Sequence, residues 1–130
     1  MDEIGDYMSS SILRIDAAAA VQDAAIMMEV NHVGSLIIEE YGEDIGILTE
    51  KDFSEKIIAK KLDPEKTLVT AIMTKPILTM DRYLPVEEAN KLMYEKKIRH
   101  LAVTEEDKIV GILSMKDLVA YYSKNFRMQE

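Results

Sequence analysis

Cysteine is absent from the 130-residue chain. That one absence removes disulfides, thiolate zinc ligands and cysteine nucleophiles together, and it fits a reducing compartment, so the cytoplasm is the expected location. Long apolar runs are also missing. The longest are about five residues, at Ala17 to Val21 and Ile109 to Leu113, against the ~18 a spanning helix needs, and no membrane association is expected. Met1-Asp2-Glu3-Ile4 lacks a positive segment followed by an apolar stretch, so a secretion signal is not expected either. Positive charge is scarce: 16 Lys and Arg face 24 Asp and Glu, a net charge of −8 with no large basic block. Sequence-independent nucleic-acid binding needs clustered cations, and is not expected. The five glycines, Gly5, Gly34, Gly42, Gly46 and Gly111, form no phosphate-cradling loop. Two histidines without cysteine argue against a transition-metal site. No nucleophile–base constellation is visible, so no catalytic residues and no enzyme activity are expected.

What is present is 48% apolar and 31% charged residues, a balance that folds, in a chain long enough to bury roughly two-thirds of its unfolded surface. The informative feature appears when the sequence is slid against itself by 65 positions. Over the 52 gapless pairs from Asp6/Ala71 to Ile57/Tyr122, fourteen are identical, among them Met8/Met73, Asp16/Asp81, Met28/Met93, Gly46/Gly111, Lys51/Lys116 and Asp52/Asp117. Average composition would give roughly three or four by chance. The chain is therefore two copies of one supersecondary unit.

Both copies predict the same elements. An amphipathic piece ending in Met8 or Met73 leads into an extended segment, Ser11 to Ile15 or Pro76 to Met80. A helix follows, with Val21, Ala24, Ala25 and Met28 inward in copy one and Val86, Ala89, Leu92 and Met93 in copy two, the spacing of an amphipathic face. Pro85 suits the first helical position, and His32 falls at a helix C-terminus, where the dipole favours a cation. The four methionines Met8, Met28, Met73 and Met93 recur at the repeat offset, which assigns them to the core. Two buried strands form a hairpin: Ser35 to Ile38 with Asp44 to Thr49, and His100 to Val103 with Lys108 to Ser114. A closing helix runs from Lys51 to Lys61 with Phe53, Ile57 and Ile58 inward, and from Lys116 to about Phe126 with Leu118, Val119 and Tyr122 inward. The order is β-α-β-β-α twice, an α+β (α/β) fold. Repeat 1 spans 4–62, a linker 63–68 and repeat 2 69–124. One copy alone would be marginal, so the two are expected to pack as a pseudo-twofold pair.

Each copy carries the string Gly, two apolar residues, Ser or Thr, two variable residues, Asp: Gly46 to Asp52 and Gly111 to Asp117. A hydroxyl residue that ends a strand and opens a helix sits beside unpaired backbone N–H groups, where anions are favoured. The Asp three residues on can accept two hydrogen bonds from a vicinal diol such as a ribose. Thr49 and Ser114 serve equally well as plain N-caps with dipole-favoured acids behind them, and the two roles can coexist.

Together with Met73-Thr74-Lys75-Pro76-Ile77 and Ile98-Arg99-His100-Leu101-Ala102-Val103, the duplicated string resembles the cystathionine-beta-synthase (CBS) domain pair, or Bateman module. The likeness covers about Ile4 to Tyr122. It implies a non-enzymatic regulatory module that binds AMP, ADP, ATP or a related adenosyl ligand between the copies, as a regulatory ligand and not a catalytic cofactor. In the main cleft the resemblance implies Ile12 and Leu13 against the base, Asp52 on the ribose, and Thr49, Arg99, His100 and Lys116 on the phosphates. In the second it implies Ile77, Leu78, Asp117 and Ser114, with Gly34 and Ser35 where the other cleft has Arg99 and His100. Lys51 is then its sole motif-derived cation, so the two sites are expected to be unequal. The resemblance further implies a homodimer, with the helices Val21 to Val30 and Val86 to Lys96 as candidate surfaces. An effector protein is expected to receive the signal. The alternative is a structural dimerisation module with no physiological ligand.

Overall fold

The computed structural model describes residues 2–129. The chain divides into two compact units, Leu13–Ile77 and Met1–Ile12 together with Leu78–Glu130.

In the unit Leu13–Ile77, β1 (Arg14–Asp16), α1 (Val21–Asn31), β2 (Ser35–Glu40) and β3 (Glu43–Thr49) precede α2 (Glu50–Asp52), which widens into a π-helical stretch, Phe53–Ile58. The sheet order is β1-β2-β3. Strand β1 runs parallel to β2, with Ile15 opposite Ile38, and β2 pairs antiparallel with β3, with Ser35 opposite Thr49. The other unit repeats this with β4 (Thr79–Asp81), α3 (Val86–Lys96), β5 (His100–Glu105), β6 (Lys108–Ser114) and α4 (Met115–Gln129). Its order is β4-β5-β6, and His100 lies opposite Ser114. The duplication extends to irregularities. A bulge falls between Ile38 and Glu39 and again between Val103 and Thr104. Both hairpins turn through two residues of positive φ, Tyr41-Gly42 and Glu106-Asp107, as tight two-residue hairpins require.

Residues 4–6 and 69–71 each form a single 3-10 turn, and each leads its chain onto the sheet of its own compact unit. Thr74 exchanges backbone hydrogen bonds with Ile47 (2.8 and 3.0 Å), and Ser9 does so with Ile112 (2.9 Å each). The first turn of each sequence repeat therefore belongs with the sheet built by the other repeat. This placement explains the glycine of the duplicated string. A Cβ on Gly46 would lie 2.5 Å from the Met73 sulfur, and one on Gly111 would meet both the Met8 side chain and, at 2.8 Å, the Ser9 carbonyl oxygen.

The first core gathers Val21, Ala24, Met28, Leu36, Ile38 and Leu48, and the second Val86, Ala89, Met93, Leu101, Val103 and Leu113. Each fully buried aliphatic side chain contributes about 1.5–3 kcal/mol. Met28 and Met93 are buried, and Met73 and Met8 pack at the edges of the two cores. Helices α1 and α3 end on His32 (φ 54°) and Lys97 (φ 56°), both left-handed caps made without glycine.

Several expectations shift. The first strands begin at Arg14 and Thr79, later than the extended segments read from the sequence. Pro85 is the N-cap of α3, not its first residue, with ψ 145°. Ile58 is 75% exposed, because the π-helical stretch turns it away after Ile57. In α4 the inward residues are Leu118 and Tyr121, while Val119 and Tyr122 are exposed. Apolar residues on several sides of this helix hid which side chain the core would take.

Candidate functional site

The strand-to-helix turns hold the chemistry. Thr49 ends β3 in an extended conformation (φ −128°, ψ 168°) and caps α2. It forms a reciprocal capping box with Asp52, whose Oδ2 accepts the Thr49 N–H at 2.9 Å. Such a box satisfies donors that the first helical turn leaves open. Ser114 and Asp117 repeat it: Asp117 Oδ2 accepts from the Ser114 N–H (2.8 Å) and hydroxyl (3.0 Å), and the Asp117 N–H donates back to Ser114 Oγ (3.4 Å). The capping role is thus fulfilled at both copies.

Beyond the box the two acids differ. Asp52 is 3% exposed. Its Oδ1 accepts from the Lys56 ammonium at 2.8 Å and from the Thr74 hydroxyl at 3.0 Å. Lys56 also donates to the Ile72 carbonyl at 2.9 Å. Asp117 is half-buried, and among the described residues its Oδ1 receives no hydrogen bond. The cause lies in the repeat. Sixty-five positions from Lys56 stands Tyr121, and sixty-five from Thr74 stands Ser9. The Tyr121 hydroxyl donates to Glu87 Oε1 instead, and Ser9 Oγ accepts the Ser11 N–H. The Tyr121–Glu87 bond pushes the tyrosine up to about 12 and lowers the Glu87 carboxyl below its ordinary range. Neither Lys56 nor Tyr121 stood out in the sequence. Their signal was a break in an otherwise well-kept repeat, since the acid they follow is identical in both copies.

The remaining candidates fall into two groups. Leu13, Gly34, Ser35, Thr49, Lys51, Asp52 and Ile77 belong to the unit Leu13–Ile77, and Ile12, Leu78, Arg99, His100, Ser114, Lys116 and Asp117 to the other. Within the first, Ser35 is buried and lies opposite Thr49, while Lys51 is exposed. The Leu13 carbonyl accepts the Ile37 N–H at 3.0 Å. Within the second, His100 lies opposite Ser114, and the Met115 N–H donates to the Arg99 carbonyl at 2.9 Å. Arg99 and Lys116 are exposed, and neither forms an ion pair among the described residues. Three cationic or ionisable residues are therefore placed by the backbone next to the Ser114–Asp117 turn. At the Thr49–Asp52 turn Lys51 is exposed, and Lys56 is engaged by Asp52.

Among the described residues no group of three or more His, Asp or Glu is gathered as a metal site would require. No helix there is long and apolar enough to cross a membrane.

The CBS domain model matches the chain twice, over residues 4–59 and 69–124. The protein MK0525 of Methanopyrus kandleri is 30% identical over 118 residues, covering 89% of this chain. The chain spans only 60% of that relative's length. Among solved structures, a conserved protein from Pyrococcus horikoshii superposes with a TM-score of 0.88 at 32% identity, covering 94% of this chain and 95% of its own. A hexameric CBS-CP12 protein from bloom-forming cyanobacteria superposes with a TM-score of 0.84 at 30% identity, covering 92% and 70%. With its internal duplication, its two three-stranded sheets and both copies matched by one family model, the chain belongs to the CBS-domain family as a tandem pair of CBS repeats.

Proposed function

We propose that this CBS pair is a regulatory module that binds an adenine nucleotide, AMP, ADP or ATP, and passes the bound state to an oligomeric or effector partner without transforming the ligand. The carrying observation is the duplicated Ser/Thr–Asp box at a strand-to-helix turn. There a carboxylate that can accept a ribose diol stands beside backbone N–H donors suited to phosphate. CBS pairs are commonly regulatory, which supports the same reading. The flanking Arg99, His100 and Lys116 supply charge-assisted hydrogen bonds, each worth about 1.5–3 kcal/mol to an anion.

Homo-oligomerisation is part of this proposal. One relative is described as a hexamer, and Ile26 and Val30 on α1 and Tyr94 on α3 are 52%, 64% and 81% exposed, apolar groups that a second copy would cover.

Thermal melting with millimolar AMP, ADP or ATP tests the nucleotide reading. Ligand at 100 times its dissociation constant adds about 2.7 kcal/mol of stability, so the melting temperature rises with at least one of the three. An unchanged melt with all three rejects it and leaves a structural association module.

A further inference from the structure

The two boxes are chemically alike but differently occupied, and the difference bears on which of them a ligand can use. In one, Asp52 is almost wholly buried, its Oδ2 taken by the Thr49 N–H and its Oδ1 by both the Lys56 ammonium and the Thr74 hydroxyl. These are the donors a diol and a nearby cation would supply. In the other, Asp117 keeps Oδ1 outside any hydrogen bond among the described residues, because Tyr121 and Ser9 occupy the positions of Lys56 and Thr74 and bond elsewhere.

We infer that Lys56 and Thr74 are a built-in competitor that fills the Asp52 box from within the chain, so that the Ser114–Asp117 box takes the nucleotide ribose first. This rests on the nucleotide reading proposed above. A ligand approaching Asp52 displaces two hydrogen bonds to a charged group before it gains its own, whereas a ligand approaching Asp117 displaces none at Oδ1. Lys56 and Thr74 are thus specificity-determining residues that make a duplicated site unequal. Neither belongs to the repeated string. Lys56 is 38% exposed at its side chain and Thr74 is exposed, so both can swing away when displaced.

Titration calorimetry with AMP on the whole chain tests this, comparing wild type with Thr74→Val, Lys56→Met, Asp52→Asn and Asp117→Asn. Thr74→Val removes only a hydroxyl at an exposed position and keeps the test valid if Lys56→Met fails to fold. The wild type should bind one AMP per chain tightly, and Asp117→Asn should weaken that event by at least tenfold while Asp52→Asn spares it. Thr74→Val and Lys56→Met should each tighten a second, weaker event by about tenfold, the loss of one competing hydrogen bond to a charged group. Two equal events in the wild type, a second event unmoved by both lock variants, or loss of the tight event in Asp52→Asn alone overturns the inference and leaves nucleotide binding standing. No AMP event in any of the folded proteins overturns the nucleotide reading itself.

Discussion

Gly46 and Gly111 occupy equivalent positions, yet alanine should be far worse at the second. At Gly46 the nearest atoms to a new Cβ all belong to Met73, the sulfur at 2.5 Å and Cγ at 2.9 Å. The end of a methionine is flexible and can move aside. At Gly111 the Met8 side chain is again in the way, but the Ser9 carbonyl oxygen also stands at 2.8 Å. That oxygen accepts the Ile112 N–H, and Ser9 donates back to Ile112. To clear the Cβ the backbone must retreat and weaken both bonds, each worth about 0.5–1.5 kcal/mol. Overpacking adds about 1–3 kcal/mol, while the stiffer unfolded chain returns roughly 0.4–1 kcal/mol. Gly111→Ala should therefore destabilise by about 2–3 kcal/mol and Gly46→Ala by about 1 kcal/mol or less. For a chain of this length that separates the melting points by about 5–8 °C. Urea denaturation followed by circular dichroism, with Met8→Ala added to Gly111→Ala, completes the assay. The double variant should recover only part of the loss, since the Ser9 carbonyl remains. Equal losses at the two glycines, or full recovery in the double variant, would refute the reasoning.

Other expectations follow from the same geometry. Asp52→Ala should cost about 2–3 kcal/mol in urea denaturation, because it strands the donors that converge on a buried carboxylate, whereas Asp117→Ala should cost about 1 kcal/mol, the worth of a capping box. Tyr121→Phe should cost about 1 kcal/mol near neutral pH. Its deficit against wild type should shrink as pH falls through the lowered Glu87 pKa, and again as pH rises from 10 toward the tyrosine's value of about 12, because the carboxylate's contribution needs it ionised and the phenol's needs it protonated. Thermal melts across pH would check both limbs. Leu118→Ala should cost about 3 kcal/mol and Val119→Ala under about 0.5 kcal/mol, as their exposures of 2% and 61% require; similar losses would mean that α4 is rotated from the orientation described.

The repeat made most of the architecture legible. Identity at an offset of 65 located helices, hairpins and both strand-to-helix turns, and Val21–Asn31 and Val86–Lys96 lie where the apolar spacing placed them. Periodicity failed where the helix itself departs from its period, at the π-helical stretch Phe53–Ile58. It failed again where apolar residues crowd several faces, as around Tyr121 in α4. The glycines read as part of a motif turned out to be steric necessities imposed by Met73, Met8 and the Ser9 carbonyl. That contact joins segments far apart in the chain, and no local pattern encodes it. The inequality of Asp52 and Asp117 has the same origin, since identical acids differ through Lys56 and Thr74, which only folding brings to one of them.

The central claim is that the duplicated boxes hold an adenine nucleotide, and amide chemical-shift mapping during titration of the isotopically labelled chain with AMP tests it most directly. Saturable shifts should be largest at the amides of Gly111 to Asp117 and of Arg99 and His100. A spectrum that AMP leaves unchanged, or saturable shifts confined to residues remote from both boxes such as the Tyr41-Gly42 hairpin turn, would contradict it.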